Sequence, residues 1–285
     1  MKLRQIYLAG KKKLEEAGVE APAFDAVCLF EKVFGLDRGG MVVHGDEIPP
    51  AEEESLFFSL IERRSSGFPL QYLMGEWPFM GREFLVGPGV LIPREETELL
   101  VEVALAGLEG KEKGCRAVDL CAGTGIVGIN LSLELPEAEI TAVELSQEAF
   151  PYLEENIARH KAPVKAMRAD VLKGPPPGFP IQDAVVSNPP YLTRKDMENL
   201  QKEVKSEPEM ALRGGEDGLL FYRVIAEKWF PFLRRDGFAA VECGMGQAGQ
   251  VAEIFHSFGL SEVSILDDFN GIGRVVTGRW RGGAS

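Results

Sequence analysis

Asn188-Pro189-Pro190-Tyr191 is a stretch whose residue types fit one chemical task. A residue before proline is pushed out of the α region, so Asn188 and Pro189 are both held extended. Prolines offer carbonyls without competing N–H donors. The Asn188 side-chain oxygen and the Pro189 carbonyl are therefore candidates for a fixed pair of acceptors, matched to the two hydrogens of a planar NH2 group. Tyr191 brings a ring that can stack behind that plane. Such a set holds an amide or amino nitrogen still while its lone pair attacks an electrophile in line. Without that task, the four residues are a proline-rich turn capped by an asparagine.

The element that must position them is the apolar run Asp183-Ala184-Val185-Val186-Ser187, which reads as a short buried strand. The four residues then lie in the loop at its carboxyl end, where open α/β sheets bind ligands. Upstream, from residue 116, strand and helix patterns alternate, which predicts a doubly wound sheet. Arg116–Leu120 reads as a strand carrying Asp119. Cys121-Ala122-Gly123-Thr124-Gly125 reads as a tight loop, and Ile126 to Leu135 as the helix after it. Small residues there let backbone approach a ligand at a helix N-terminus. A second strand, Ile140–Glu144, ends in an acid placed to accept bonds from both hydroxyls of a ribose. A third, Ala166–Asp170, ends in an acid suited to an adenine amino group, with Val171 against the ring.

A nicotinamide dinucleotide and a sulfonium methyl donor both fit this half. A Gly-x-Gly loop is weak evidence by itself and does not separate the two. The Asn-Pro-Pro-Tyr acceptors have no role in hydride transfer and do have one in methyl transfer to nitrogen. S-adenosylmethionine is therefore the favoured cofactor.

Ahead of this half, residues 1–68 read as a small all-α domain. Leu3, Ile6, Tyr7, Gly10 and Leu14 fall at helical spacing. Pro22 opens a second helix that Gly35 ends, and Pro49-Pro50 open a third with Leu56, Leu60 and Ile61 on one face. Residues 69–93 read as a β-hairpin connector around Gly81-Arg82, and 94–285 as the catalytic domain. Pro93 and the acids Glu95, Glu96 and Glu98 fit the start of a helix running to about Leu108. The long segment Leu192–Asp217 is read as a channel-shaping loop with a short helix near Lys195 to Leu200. A helix over Gly218 to Leu233, a strand over Gly237 to Cys243, a helix over Gln247 to Phe258 and two closing strands follow. A loose end is expected at Arg281–Ser285.

Composition bounds the function classes. The chain has 285 residues, 45% hydrophobic and 26% charged, with a net charge of −13. Such a charge disfavours a phosphate backbone as partner and suits a basic protein, so nucleic acid is not expected as the direct substrate. Four scattered cysteines and three isolated histidines form no metal pattern and read as reduced thiols and ordinary residues of a cytoplasmic protein. No apolar run reaches membrane-spanning length, and the N-terminus lacks a signal-peptide pattern. A monomer is expected.

In ordered sequence, the chain resembles the HemK-type peptide chain release factor N5-glutamine methyltransferases. The resemblance runs from about residue 65 to 277. It rests on Pro69–Tyr72, Leu91–Arg94 with Glu96-Thr97-Glu98, the glycine loop and Asn188–Tyr191. It continues through Glu207-Pro208, Gly214-Gly215, Asp217-Gly218, Tyr222-Arg223, Glu242-Cys243-Gly244 with Gln247, and Gly273–Val276. The first 65 residues share only helical character with it. Cys121 and Ala122 stand where members of the family usually have Gly and a small hydroxyl residue, and Glu144 where they usually have Asp.

The resemblance implies a seven-stranded, Rossmann-like, S-adenosylmethionine-dependent domain behind a helical substrate-docking domain. It implies methylation of the glutamine in the Gly-Gly-Gln motif of release factors. It places Asp119, Cys121 to Gly125, Glu144, Asp170, Val171 and Asn188 at the cofactor, and Arg94, Thr97 and Asn188 to Tyr191 at the substrate. Competing readings are a ribosomal-protein glutamine methyltransferase, an adenine-N6 methyltransferase of nucleic acid, and a cofactor-binding scaffold without turnover.

Overall fold

A computed structural model describes residues 1–110 and 114–282. The backbone divides into two units, Met1–Glu76 with Gln201–Ser206, and Trp77–Leu200 with Glu207–Ser285. The assignment of Gln201–Ser206 to the helical unit has no signal in the sequence pattern.

The first unit contains α1 (Leu3–Glu16), α2 (Pro22–Phe34), α3 (Arg38–His44), α4 (Ala51–Ser65) and α5 (Leu70–Met74). Pro22 starts α2 with its φ already set, and Gly35 ends it in the left-handed region at φ 65°. The short helices α3 and α5 were not foreseen, and Leu70–Met74 is helix rather than part of the hairpin. In α4 the buried stripe is Phe57, Leu60, Ile61 and Arg64. Leu56 lies one position off that stripe and is exposed, which corrects its expected place.

The buried Arg64 donates from Nε to Asp25 at 2.6 Å, from Nη1 to the Phe68 carbonyl at 3.3 Å and from Nη2 to Glu203 at 2.5 Å. One guanidinium thereby ties α2, the end of α4 and the 201–206 segment together.

Next in the chain is a hairpin, β1 (Glu76–Phe79) and β2 (Arg82–Leu85), which belongs to the second unit from Trp77 onward. Then come α6 (Glu96–Leu108), β3 (Arg116–Leu120), α7 (Ile126–Glu134), β4 (Glu139–Glu144), α8 (Phe150–His160), β5 (Val164–Arg168) and β6 (Gln182–Ser187). After β6 follow α9 (Arg194–Glu198), α10 (Glu209–Leu212), α11 (Leu220–Lys228), β7 (Leu233–Glu242), α12 (Ala248–Ser257), β8 (Leu260–Asp267) and β9 (Gly273–Trp280). The sheet order is β5-β4-β3-β6-β7-β9-β8. β3 to β7 run parallel and β9 inserts antiparallel between β7 and β8. This is the expected seven-stranded α/β fold.

Several boundaries differ from the sequence reading, among them the start of β7, which begins at Leu233 and not at Gly237. Pro93 precedes α6 by a short loop instead of opening it. β5 stops at Arg168, because the Asp170 carboxylate turns back to accept the Leu172 N–H at 3.0 Å and caps a 3-10 turn. The helix expected over Gly218 to Leu233 stops at Lys228, and a 3-10 turn at Phe230–Phe232 leads directly into β7. Of the expected loose end, 283–285 lie outside the described residues.

Alternate residues of each central strand face opposite layers. Ala117, Ala184, Val186 and Ala240 pack with α6 and α7 on one side. Val118, Val185, Ala239 and Val241 pack with Tyr222, Trp229, Val251 and Phe255 on the other. Every residue of β6 is buried, as a parallel central strand covered on both faces must be.

Candidate active site

At the carboxyl ends of β3, β4 and β6 lies a cavity of about 670 Å3. That is within the size range of small-molecule sites. Asp119, Cys121 to Thr124, Glu144, Asp170, Val171, Asn188, Arg94 and Thr97 all line it, as does Pro190. Pro189, Tyr191 and Gly125 do not. Sites read separately along the sequence are thus gathered in one space, because parallel strands bring their carboxyl ends to one edge.

The glycine loop takes its shape from three residues in the left-handed region, Cys121 (φ 60°), Gly123 (φ 55°) and Gly125 (φ 84°). Cys121 therefore adopts this conformation without a glycine's freedom. Its thiol is pushed well above the ordinary range, first by burial and then by the nearby Glu144 and Asp119. Among the described residues a Cβ at Gly123 would meet only a Val90 methyl, at 3.8 Å, so the space over the loop is open.

Glu144 accepts the Gly123 N–H at 2.8 Å and the Ser146 N–H at 2.6 Å. Each carboxylate oxygen keeps a lone pair for a further donor. Asp119 is buried, accepts the Gly128 N–H at 2.9 Å and so fixes the first turn of α7. Burial pushes its carboxyl up to about 7, partly offset by that N–H bond. Between Asp119 and Leu172 the cavity wall carries three carboxylates, Asp119, Glu144 and Asp170, and no lysine or arginine among the described residues. That wall suits a cationic sulfonium and offers no cationic side chain to a pyrophosphate. Among the described residues, no group of three or more His, Cys, Asp or Glu is placed to hold a metal ion.

Sequence reasoning missed Asn156. Its Nδ2 donates to the Thr124 carbonyl at 3.0 Å and to the Leu85 carbonyl at 3.1 Å, and its Oδ1 accepts the Leu85 N–H at 2.8 Å. One buried amide on α8 thus holds both the glycine loop and the end of the hairpin. A polar residue among the apolar positions of an amphipathic helix was the only signal. Ser187 was missed as well; its hydroxyl donates to the Leu120 carbonyl at 2.7 Å, locking β6 to β3 at the cavity edge.

The Asn188–Tyr191 segment is held from behind. Gln247 Nε2 donates to the Tyr191 carbonyl at 3.0 Å, and its Oε1 accepts the Gly244 N–H at 2.9 Å. At Gly214 a Cβ would come within 2.7 Å of the Pro190 oxygen and of Tyr191 Cα. At Gly218, with φ 75°, a Cβ would collide with the Tyr191 carbonyl and Gln247. Gly214, Gly218 and Gln247 are therefore backbone supports of this segment. Burial pushes the Tyr191 hydroxyl up to about 12, with Glu242 adding to the effect.

Arg94 forms an ion pair with the buried Glu207, whose other oxygen accepts the Ile92 N–H at 3.1 Å. Thr97 is buried in the first turn of α6. Its hydroxyl donates to Glu242 at 2.6 Å and accepts from Asn188 Nδ2 at 3.1 Å. The amide oxygen of Asn188 is thereby left for another donor.

Comparison with known proteins places this geometry. Residues 5–75 match the family described as "PrmC N-terminal domain", and 95–224 that described as "Methyltransferase small domain". The release factor glutamine methyltransferase of Geobacter sulfurreducens is 39% identical over 93% of this chain and 92% of its own length. That of Deinococcus radiodurans is 34% identical over 99% of this chain and 100% of its own. The similarity thus extends through the N-terminal helices, beyond the span legible from motifs alone. Among solved structures, a methyltransferase from Pyrococcus furiosus superposes with a TM-score of 0.51 at 18% identity, covering 71% of this chain and 90% of its own. The hMettl16 catalytic domain does so with 0.56 at 13%, covering 82% and 84%. These two support the fold. The near-full-length relatives decide the family: this chain belongs to the release factor glutamine methyltransferases.

Proposed function

We propose that this protein transfers a methyl group from S-adenosylmethionine to the side-chain amide nitrogen of the glutamine in the Gly-Gly-Gln motif of peptide chain release factors. The observation that carries the reading is that Asn188 lines the same cavity as Glu144 and Asp170, so an amide acceptor and carboxylates suited to a nucleoside share one space. When bound, the cofactor supplies an electrophilic methyl on a positively charged sulfur. Glu144 is suited to its ribose hydroxyls, Asp170 and Val171 to its adenine, and the open backbone of the glycine loop to its amino-acid end.

The remaining work belongs to the chain. Asn188 Oδ1 and the Pro189 carbonyl accept the two hydrogens of the substrate carboxamide and aim its nitrogen. Tyr191, held by Gln247, supports the plane of that amide. Pre-organisation of this kind is worth up to ~7–11 kcal/mol of a barrier. The excess proton leaves the methylated nitrogen for water. Arg94 and the segment that Glu207 anchors border the substrate side. The helical unit is proposed to dock the release factor.

The test is methyl transfer from labelled S-adenosylmethionine to a release factor, to the same factor with its Gly-Gly-Gln glutamine replaced, and to duplex DNA. Label in the first alone is the expected result. Label in DNA would replace the reading with adenine methylation. Cofactor binding without label anywhere would replace it with another protein substrate or a scaffold.

A further inference from the structure

Thr97 and Glu242 stand behind Asn188 in a single file of hydrogen bonds. Thr97 Oγ1 lies 2.6 Å from Glu242 Oε2, and Asn188 Nδ2 lies 3.1 Å from Thr97 Oγ1. Thr97 and Glu242 are almost fully buried, so water does not compete for these bonds. A hydroxyl has one proton to give. While Glu242 is a carboxylate it can only accept, so Thr97 must donate to it. Thr97 then has only lone pairs for Asn188, which must present its NH2 inward and keep its oxygen for the substrate. Were Glu242 protonated, the file could reverse. The acid would donate to Thr97, Thr97 would donate to the Asn188 oxygen, and the NH2 would be left facing a substrate that also presents an NH2.

We infer that Glu242 is a positioning residue that sets the polarity of the Asn188 amide through Thr97, making amide methylation dependent on an ionised Glu242. The inference rests on the functional reading above. Several groups face Glu242 from its surroundings. Glu96 and Arg94 lie at and before the start of α6, Arg274 is on β9, Tyr191 follows β6, and Cys243 is the next residue in the chain. The Tyr222 hydroxyl of α11 donates to the Glu242 backbone carbonyl at 3.0 Å. Burial, the largest influence, pushes the Glu242 carboxyl up to about 7. The Thr97 bond and the charges of Arg274 and Arg94 oppose that rise, and Glu96 adds to it. The change of state therefore falls in an accessible range of pH.

The experiment uses the full chain, saturating labelled S-adenosylmethionine and a release factor, with Glu242→Gln, Thr97→Val and Thr97→Ser compared with wild type. Glutamine can donate or accept, so it no longer dictates the direction of the file. Expected are losses in kcat of ~10- to 100-fold for Glu242→Gln and Thr97→Val. Cofactor affinity should be unchanged and Thr97→Ser should retain activity. The wild-type kcat should rise with pH through an apparent pKa near that of Glu242, and Glu242→Gln should lack this limb. In parallel, the Asn188 side-chain 15N resonance, assigned by its loss in Asn188→Ala, should shift over the same pH range in wild type and not in Glu242→Gln. Wild-type turnover with an unaltered pH limb in Glu242→Gln would overturn the inference alone. So would an Asn188 resonance indifferent to both pH and the substitution. Absence of wild-type methyl transfer to the release factor would overturn the functional reading, while the resonance still decides whether Glu242 sets the amide.

Discussion

Asn156 on α8 reaches the Thr124 carbonyl at 3.0 Å, and this bond is the prop of the glycine loop. Replacing Asn156 with Ala would leave the buried Thr124 carbonyl without this partner, at about 1–3 kcal/mol, and free the part-buried N–H and carbonyl of Leu85 at a smaller cost. The expected result is a lower urea midpoint together with weaker S-adenosylmethionine binding by titration. Unchanged cofactor affinity would mean that the loop keeps its shape unaided.

Asn188→Ala removes an acceptor and leaves the β6 framework intact. We expect turnover to fall by ~100-fold or more, on the scale of losing one pre-organised transition-state contact. Cofactor affinity should change little. Full turnover in this variant would sink the proposed role of the amide.

Gly218→Ala places a methyl against the Tyr191 carbonyl and Gln247 at a φ of 75°. Overpacking costs about 1–3 kcal/mol, and left-handed backbone adds roughly 1–2 kcal/mol. Activity should drop more than cofactor affinity, because the strain falls on the Asn188–Tyr191 segment. Equal kcat in the two proteins would show that the segment tolerates displacement.

Arg64→Leu should destabilise the helical unit by roughly 3–5 kcal/mol, since Asp25 would be left buried without its cation. Adding Asp25→Asn should recover part of the loss. A double variant no more stable than the single one, in urea unfolding, would count against pairing as the cause.

Glu242 gives stability a pH dependence of definite sign. Its folded-state pKa, about 7, is above the ordinary 4.5, so the folded state holds the proton more tightly. Its contribution is fully present below about pH 4.5 and declines as pH rises through about 7. The loss is on the order of 3 kcal/mol. Asp119, also raised to about 7, acts in the same direction. Urea unfolding of the cofactor-free protein between pH 5 and 8 should therefore show a steeper decline for wild type than for Glu242→Gln. Parallel curves would refute the raised pKa.

The sequence by itself determined the strands and the chemistry at their ends. Arg116–Leu120 and the end of the strand at Ser187 were read to the residue. Buried parallel strands are continuous apolar runs, and the residues after them are restricted to small, acidic or proline types, which are local signals. Gly35 as a helix stop and Glu144 as a strand-end acid were legible for the same reason. The helix α3 was not, because seven residues containing two glycines carry little periodicity. What holds the site together was not legible either. Thr97 and Glu242 are 145 positions apart, and Asn188 and Thr97 are 91 apart. They meet because β6 and β7 pair in parallel with Ser187 opposite Val241, so Asn188 and Glu242 emerge side by side. The first turn of α6 comes to rest against both. A hydrogen bond needs a donor and an acceptor within about 3 Å, and strand order and register, not local composition, decide which residues come that close.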